Sequence, residues 1–514
     1  MPVVRYVIVV LVACALGLIV KPVLEYRETL KAFSVASEVH RRKKAEYLKS
    51  LRSVNGKGGN GVNFITILLD DAGFDFSCFG NKAIQTPHID ALAARSTIKQ
   101  KCYSGHPVCT PSRASLITGR YAARTGLGTF PSGLVLFPHQ TWIATFLSWF
   151  GFSEGLNQDE ISIGDVFSNA GWRTGYVGKW HLGSKSPYLP NDFGFESFFG
   201  TLYSNDMAPF DLWANKTVHT PHEEVDQKLL TPLFGDESIK FIEQSIAAGD
   251  NFFLQLATNA PHDPLWVRDE MLGTSNGGLY GDVIAELDRM VGRLEEALER
   301  LGAQDNTMVW LTSDNGPWFE GWNGGYRERK SHHWEGGQAV PCIVNLPGLG
   351  AEARVRRHFQ QHPGAIIHAT DMFRTMVDLA SLPLPTDRVY DGRSLFRAEE
   401  LDDDGEGGSR TVHFVFGLGD LASIRQGNFK LHLQHSILRD TELVHNRSLG
   451  QREFDGRNGH FMWLVDLEHD PHEAYDASAK HPKLAEAMAT TARSWANSFK
   501  MNPRGWKGDN DDHL

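Results

Sequence analysis

The sequence predicts an α/β fold: a large, mostly parallel mixed sheet between helices, followed by a smaller C-terminal α+β domain. Three observations carry this. Residues 64–69, FITILL, are a run of apolar and β-branched side chains, the pattern of a strand covered on both faces. Further strand-like runs alternate with helix-like stretches, as a parallel sheet with crossover helices requires. The alternation breaks near LPLPTD at 382–387, and beyond it short strand-like segments follow one another.

Taken in order, IDALAARS at 89–96 reads as a helix, and SLITG closes another at Gly119. ISIGDVFSNAG at 161–171 reads as a helix ending in glycine, followed by the strand RTGYVG at 173–178. FFLQLA at 252–257 is a strand. Residues 283–302 form a long amphipathic helix, and 307–316, TMVWLTSDNG, the strand after it. AIIHATDMFRTMVDLA at 365–380 reads as a helix. Past the acidic segment at 399–408 come the strands TVHFVFG, LASIRQG and FKLHLQ, then a last helix near 483–499. The expected organisation is 1–24 as signal peptide or membrane anchor, 25–62 as helical stalk and linker, 63–385 as the large domain and 386–514 as the smaller one.

Bulk properties narrow the function. The net charge of −11 gives no basic surplus with which to displace counterions, so nucleic acid is not an expected partner. Five cysteines without a C-x-x-C pair exclude a zinc ribbon or disulfide scaffold. At the N-terminus, Arg5 precedes an apolar run to Val20. A secretory signal peptide and an uncleaved anchor both fit; cleavage after Ala15 would expose Leu16 to Val20, which tilts toward the anchor. Sequons at Asn215 and Asn446 agree with a location in the secretory pathway, extracellular or periplasmic.

The chemistry is expected at strand ends, where ligands of open α/β sheets collect. Asp70 and Asp71 end the first strand; Asp314 and Asn315 end another. Three carboxylates and an amide oxygen on one edge repel unless a cation joins them, and all-oxygen ligands suit calcium or magnesium rather than zinc. Cys109 stands where Pro111 and Ser112 begin a helix, and Arg113 lies one turn further in. A thiol at a helix N-terminus is expected to ionise more readily than usual.

The segment CTPSRASLITGR at 109–120 is similar to the signature of the type I sulfatases, in the alkaline phosphatase-like superfamily. ILLDDAGFDFSCFGN at 67–81, GYVGKWHLG at 175–183, APHDP at 260–264, TSDNG at 312–316, KSHHWEGG at 330–337, DGRSLF at 391–396 and LVDLEHDPHEAYD at 464–476 extend the resemblance over most of the globular chain. It resembles most the branch of arylsulfatases, galactosamine-6-sulfatases and steroid sulfatases. The resemblance implies a sulfatase hydrolysing sulfate monoesters. It implies that a formylglycine-generating enzyme oxidises Cys109 to formylglycine, whose hydrate attacks sulfur, and that Ca2+ is held by Asp70, Asp71, Asp314, Asn315 and the modified Cys109. Arg113, Lys179, His181, His262 and Lys330 are implied as the groups around the sulfate. His262 or Lys330 would protonate the leaving oxygen and His181 would assist collapse of the sulfated hydrate. Lys179 and His181, two apart, would face one side of an extended segment.

Asp206, in GTLYSND, is a further candidate contact, and the aromatic stretch GPWFEGWNGGY at 316–326 a candidate wall of the pocket. The sequence departs from the family pattern at Ser331, where glycine is usual, at His332 and His333, and at Ala339, where arginine is common. Two other readings stay open: a phosphodiester or phosphonate ester hydrolase on the same fold, and a non-catalytic binder of sulfated glycans. The substrate, whether aryl, steroid or sugar sulfate, depends on loops outside these motifs.

Overall fold

The strand that begins the large domain, β1 (Asn63–Leu69), is buried along its whole length. The computed structural model describes residues 36–52, 61–128, 154–346, 352–362, 365–397, 410–416, 420–433 and 462–508. In it β1 pairs in parallel with β7 (Phe252–Ala257) on one side and β8 (Thr307–Ser313) on the other. The other strands are β2 (Ile98–Tyr103), β3 (Arg173–Lys179), β4 (Ser197–Thr201), β5 (Leu212–Ala214), β6 (Thr217–Thr220) and β9 (Ala339–Asn345). The nine strands run in the order β2-β9-β8-β1-β7-β3-β4-β5-β6. β3 and β4 continue the parallel core; β9 runs antiparallel to β8, β2 antiparallel to β9, and β5–β6 form an antiparallel far edge. The sheet is therefore mixed with a parallel centre, as expected.

Packing follows the period of two along β1. Phe64 and Leu68 join one core with Phe167, Phe253, Met308 and Trp310. Ile65, Ile67 and Leu69 join the other with Leu254, Leu256, Leu287 and Leu311. The helices carry matching faces. They are α1 (Glu38–Leu51), α2 (Pro87–Arg95), α3 (Cys109–Thr118), α4 (Ile163–Asn169), α5 (Leu230–Ala247), α6 (Gly278–Arg300), α7 (Glu335–Gln338), α8 (Glu352–Gln361) and α9 (Asp371–Leu379). On α6, Ile284, Leu287, Val291, Leu294 and Leu298 are buried at spacings of three and four. Each such side chain contributes roughly 1.5–3 kcal/mol. Gly178, near the end of β3, has φ +105 and passes so close to β7 that a Cβ would lie 1.8 Å from Ala257 O. Only glycine fits that approach.

The smaller unit is an antiparallel sheet in chain order: β10 (Thr411–Phe416), β11 (Asp420–Gln426), β12 (Phe429–His432) and β13 (Trp463–Asp466). α10 (Pro482–Met501) packs Met488, Ala492 and Phe499 against Ile424, Leu431 and Leu464.

Three details differ from the sequence reading. The helix expected over 365–380 begins only at Asp371, because Tyr103 N–H donates to Ile367 O and Ala369 N–H to Tyr103 O, which ties that stretch to β2. β2, β4–β6 and β9 were not anticipated. Within the segment read as a stalk, α1 lies against the large domain: Leu51 is fully buried, Lys44 Nζ reaches Asp165 at 2.7 Å and Tyr47 Oη donates to Pro383 O. The N-terminal apolar run and the Asn446 sequon lie outside the described residues. Among those described, no helix is long and apolar enough to cross a membrane.

Candidate active site

The carboxyl ends of β1 and β8 converge. Asp314 N–H donates to Leu69 O at 3.0 Å, and Asp71 N–H donates to Asp314 Oδ1 at 3.2 Å. Asp71 has φ +63, which turns its side chain out of the strand alternation and lets consecutive aspartates face one site. α3 delivers the sulfur. Cys109 is its first residue, and Gly119 (φ +68) ends it. Cys109 Sγ lies 3.5 Å from Asp70 Oδ1 and 3.8 Å from Asp71 Oδ1. One ligand atom each from Asp70, Asp71, Cys109 and His262 falls within a sphere of mutual distances below 4.8 Å.

The cations interleave with these acids. Arg113 grips Asp314 Oδ2 through Nε at 2.9 Å and Nη2 at 2.8 Å, while Nη1 donates to Lys179 O at 2.6 Å. Lys179 Nζ is 2.5 Å from Asp70 Oδ2 and Lys330 Nζ 2.6 Å from Asp71 Oδ2. His262 Nε2 stands 3.6 Å from Asp71 Oδ2. All the residues expected at the site are thus in one place or beside it. The reason given for His181 was wrong, however. It has φ +59, so it is not carried by strand alternation; it is buried beside Lys179 and Arg113, and neither ring nitrogen has a hydrogen-bond partner. Burial and those two cations hold its imidazole well below the usual range, so it is neutral.

The expectation of a readily ionised thiol also fails. Burial pushes Cys109 well above the usual thiol range, with Asp314 and Asp70 adding to it, and Lys179 and Lys330 do not compensate. The helix terminus is outweighed by desolvation. Asp70 behaves oppositely. Burial opposes its charge, yet Lys179, His262, Arg113 and Lys330 hold it well below the normal carboxylate range. Asp314, buried and facing Asp70, is pushed up to about 7.

Ser204 was missed. Its Oγ accepts from Lys179 Nζ at 3.1 Å and lies 3.4 Å from His262 Nε2, so it bridges those two side chains. The available signal was its place in GTLYSND, the segment already singled out for Asp206. Asp206 in the same loop is exposed, and Asn205 instead braces the loop through His262 O and Pro264 O. The aromatic stretch is half in solvent: Trp318, Phe319 and Trp322 are 39%, 69% and 38% exposed. Ser331 holds φ +73, which accounts for glycine being usual there.

The residues fit a hard divalent cation. Three buried carboxylates meet within one site, Asn315 Oδ1 is buried without a hydrogen-bond partner, and Asp314 is pushed toward its protonated form by burial and by the neighbouring Asp70. Each acid faces a side-chain cation: Arg113 at Asp314, Lys179 at Asp70 and Lys330 at Asp71, with Arg113 also 3.6 Å from Asp70.

A family model described as Sulfatase matches residues 62–382. The chain belongs to the sulfatase family. An arylsulfatase of Hemicentrotus pulcherrimus is 31% identical to this sulfatase over 460 residues, covering 81% of this chain and 78% of that protein. The N-acetylgalactosamine-6-sulfatase of Rattus norvegicus is 32% identical over 398 residues, covering 72% and 71%. The crystal structure of the PsFucS1 sulfatase from Pseudoalteromonas sp. superposes with a TM-score of 0.66 at 21% identity, covering 92% of this chain and 96% of that one, which supports the fold. This sulfatase is accordingly a sulfuric ester hydrolase, and its family implies a metal and a formylglycine at the site just described.

Proposed function

We propose that this sulfatase hydrolyses sulfate monoesters with an oxygen nucleophile made from Cys109 by oxidation to formylglycine, beside a calcium ion held by Asp70, Asp71, Asp314 and Asn315 together with residue 109. The observation that carries the reading is the seat of Cys109: the first residue of α3, 3.5 and 3.8 Å from two strand-end carboxylates that suit a cation, with Lys179 and Lys330 close enough to favour an anion. Serine or threonine would serve as well for packing. A cysteine with its thiol held neutral is a poor nucleophile, and its value there is that it can be oxidised.

The hydrated aldehyde supplies two hydroxyls on one carbon, one to attack sulfur and one to expel sulfate afterwards. The ion supplies a fixed double positive charge among the carboxylates. With those acids engaged, Lys179 and Lys330 turn to the sulfate oxygens, and Arg113, fixed by Asp314 and the Lys179 carbonyl, holds its guanidinium toward residue 109. His262, close to Ser204 and at the edge of the site, gives the leaving oxygen its proton, with Lys330 as the neighbouring donor. His181 is neutral with neither ring nitrogen hydrogen-bonded, so its unprotonated nitrogen is free to accept the proton of the second hydroxyl as sulfate leaves.

The reading includes a formylglycine-generating enzyme as a partner and a place in the secretory pathway or periplasm, with residues 1–24 as signal or anchor. The apolar run and the exposed Asn215 sequon support that location. Paired aryl sulfate and aryl phosphate esters test the substrate class. Sulfate is expected to be preferred, and a preference for the phosphate or phosphonate ester would move the chain to the other class of the superfamily.

A further inference from the structure

The loop that carries Lys330 is gripped from the smaller domain by a buried ionic network. Glu335, five residues beyond Lys330, is fully buried. Its Oε2 accepts from Lys101 Nζ at 2.8 Å and Tyr103 Oη at 2.7 Å, and its Oε1 from Lys430 Nζ at 3.0 Å. Lys430, on β12, also donates to His333 O at 3.0 Å and lies 3.3 Å from Glu473 Oε1. Glu473, beyond β13, accepts from Glu335 N–H at 2.7 Å and pairs with His432 Nε2 at 2.7 Å. Its carbonyl accepts from Arg327 Nη1 at 2.9 Å, and the Arg327 guanidinium lies 3.8 Å from the centre of the Trp334 ring.

Residues on both sides of Lys330 are therefore held by the smaller domain. Three non-glycine residues of this junction adopt left-handed backbone: Glu328 (φ +58), Ser331 (φ +73) and Glu473 (φ +52). Such conformations persist only where the surroundings impose them, and they gather where geometry matters. Buried ion pairs are poor sources of net stability, because desolvation offsets their attraction. A network with every carboxylate oxygen partnered instead fixes one arrangement.

We infer that the smaller domain is part of the catalytic apparatus: Glu473 and Lys430 act as positioning residues that clamp the Lys330 loop and so set where the Lys330 ammonium stands. This rests on the reading of Lys330 as a sulfate-binding group given above.

The test is a double-mutant cycle on the full-length enzyme, measured as kcat/KM for an aryl sulfate with melting temperature as the control for folding. Glu473→Gln is expected to lower kcat/KM by on the order of 10- to 100-fold, the scale of a small misplacement of a catalytic group. In a Lys330→Ala background the same change is expected to cost less than about threefold, since the group it positions is gone. Arg327→Gln, at a half-buried side chain, repeats the cycle if Glu473→Gln does not fold. Losses of equal size in both backgrounds overturn the inference alone. An unchanged kcat/KM in Lys330→Ala by itself overturns the catalytic reading of Lys330, and the inference with it.

Discussion

Two buried clusters in this sulfatase each set cationic side chains against carboxylates and differ in what they leave open. At the join of α1, α3 and the C-terminal segment, Arg120, Arg388 and Arg504 surround Asp159 and Glu160. Arg504 Nη2 reaches Asp159 at 2.6 Å and Glu160 at 2.9 Å, Arg120 Nη1 reaches Glu160 at 3.1 Å, and all three guanidinium groups lie within 5.0 Å of the centre of the Trp506 ring. Burial opposes the charge of Glu160, but Arg120, Arg504 and Arg388 hold it below the usual carboxylate range. At the ends of β1 and β8, by contrast, Asp314 is pushed up to about 7, Asn315 Oδ1 has no hydrogen-bond partner and neither does either nitrogen of His181. In the arginine cluster the carboxylates are satisfied by side chains of the fold itself. The cluster at the strand ends also pairs its acids, but leaves an amide oxygen and a buried imidazole without partners.

That contrast can be broken, starting with the largest effect. Cys109→Ala is expected to lower kcat on an aryl sulfate by on the order of 10⁵-fold or more, the scale seen when a covalent nucleophile is removed, with little change in melting temperature. His262→Ala is expected to cost about 10²- to 10⁴-fold in kcat, the usual range for a general acid. A substrate with a more acidic leaving alcohol should recover part of that loss, and uniform loss across leaving groups would take the proton-donor role from His262.

The arginine cluster should respond the other way round. Arg120→Met leaves Glu160 buried with a partner missing and is expected to cost about 3–5 kcal/mol in denaturant unfolding. The folded fraction should keep its kcat/KM, and a specific loss of turnover would place that cluster in the mechanism. Chelation is expected to lower both activity and melting temperature. Calcium at about 100 times its Kd should restore about 2.7 kcal/mol of stability, read by calorimetry without substrate.

A half-buried imidazole elsewhere calibrates the pH response. His413, stacked on Trp495 at 4.3 Å, is pushed by burial down to about 3. Its folded-state value lies below the ordinary 6.5, so the unfolded chain binds the proton first as pH falls, and stability declines from about pH 6.5 downward toward 3. At pH 5 that is about 2 kcal/mol. His413→Gln is expected to flatten this part of the melting-temperature profile, and an unaltered slope would show that the group titrates alike in the folded and unfolded states.

Much of this was legible in the sequence, and the reasons are specific. β1, β7 and β8 are buried on both faces, so their composition alone marks them. The acidic pairs were found because each closes such a run. β9 was hidden by Pro341 and β2 by its charged face, Lys99 and Lys101, on a strand at the sheet's edge. Asp71 and His181 take left-handed backbone that a period-two argument cannot express. The thiol's ionisation was misjudged because the helix terminus is a local feature of the sequence, whereas burial against Asp70 and Asp314 is a tertiary one. The grip of Lys430 and Glu473 on Glu335 joins residues 95 and 138 positions apart, beyond any spacing rule.

The central claim is that the reacting atom at residue 109 is oxygen. Trypsin releases it in the peptide Cys102–Arg113, which carries two cysteines as encoded. Mass spectrometry of that peptide from fully active enzyme, after thiol alkylation and aldehyde trapping, is expected to show one alkylated residue, Cys102, and one trapped aldehyde at 109. Two alkylated cysteines in material of full activity would contradict the account.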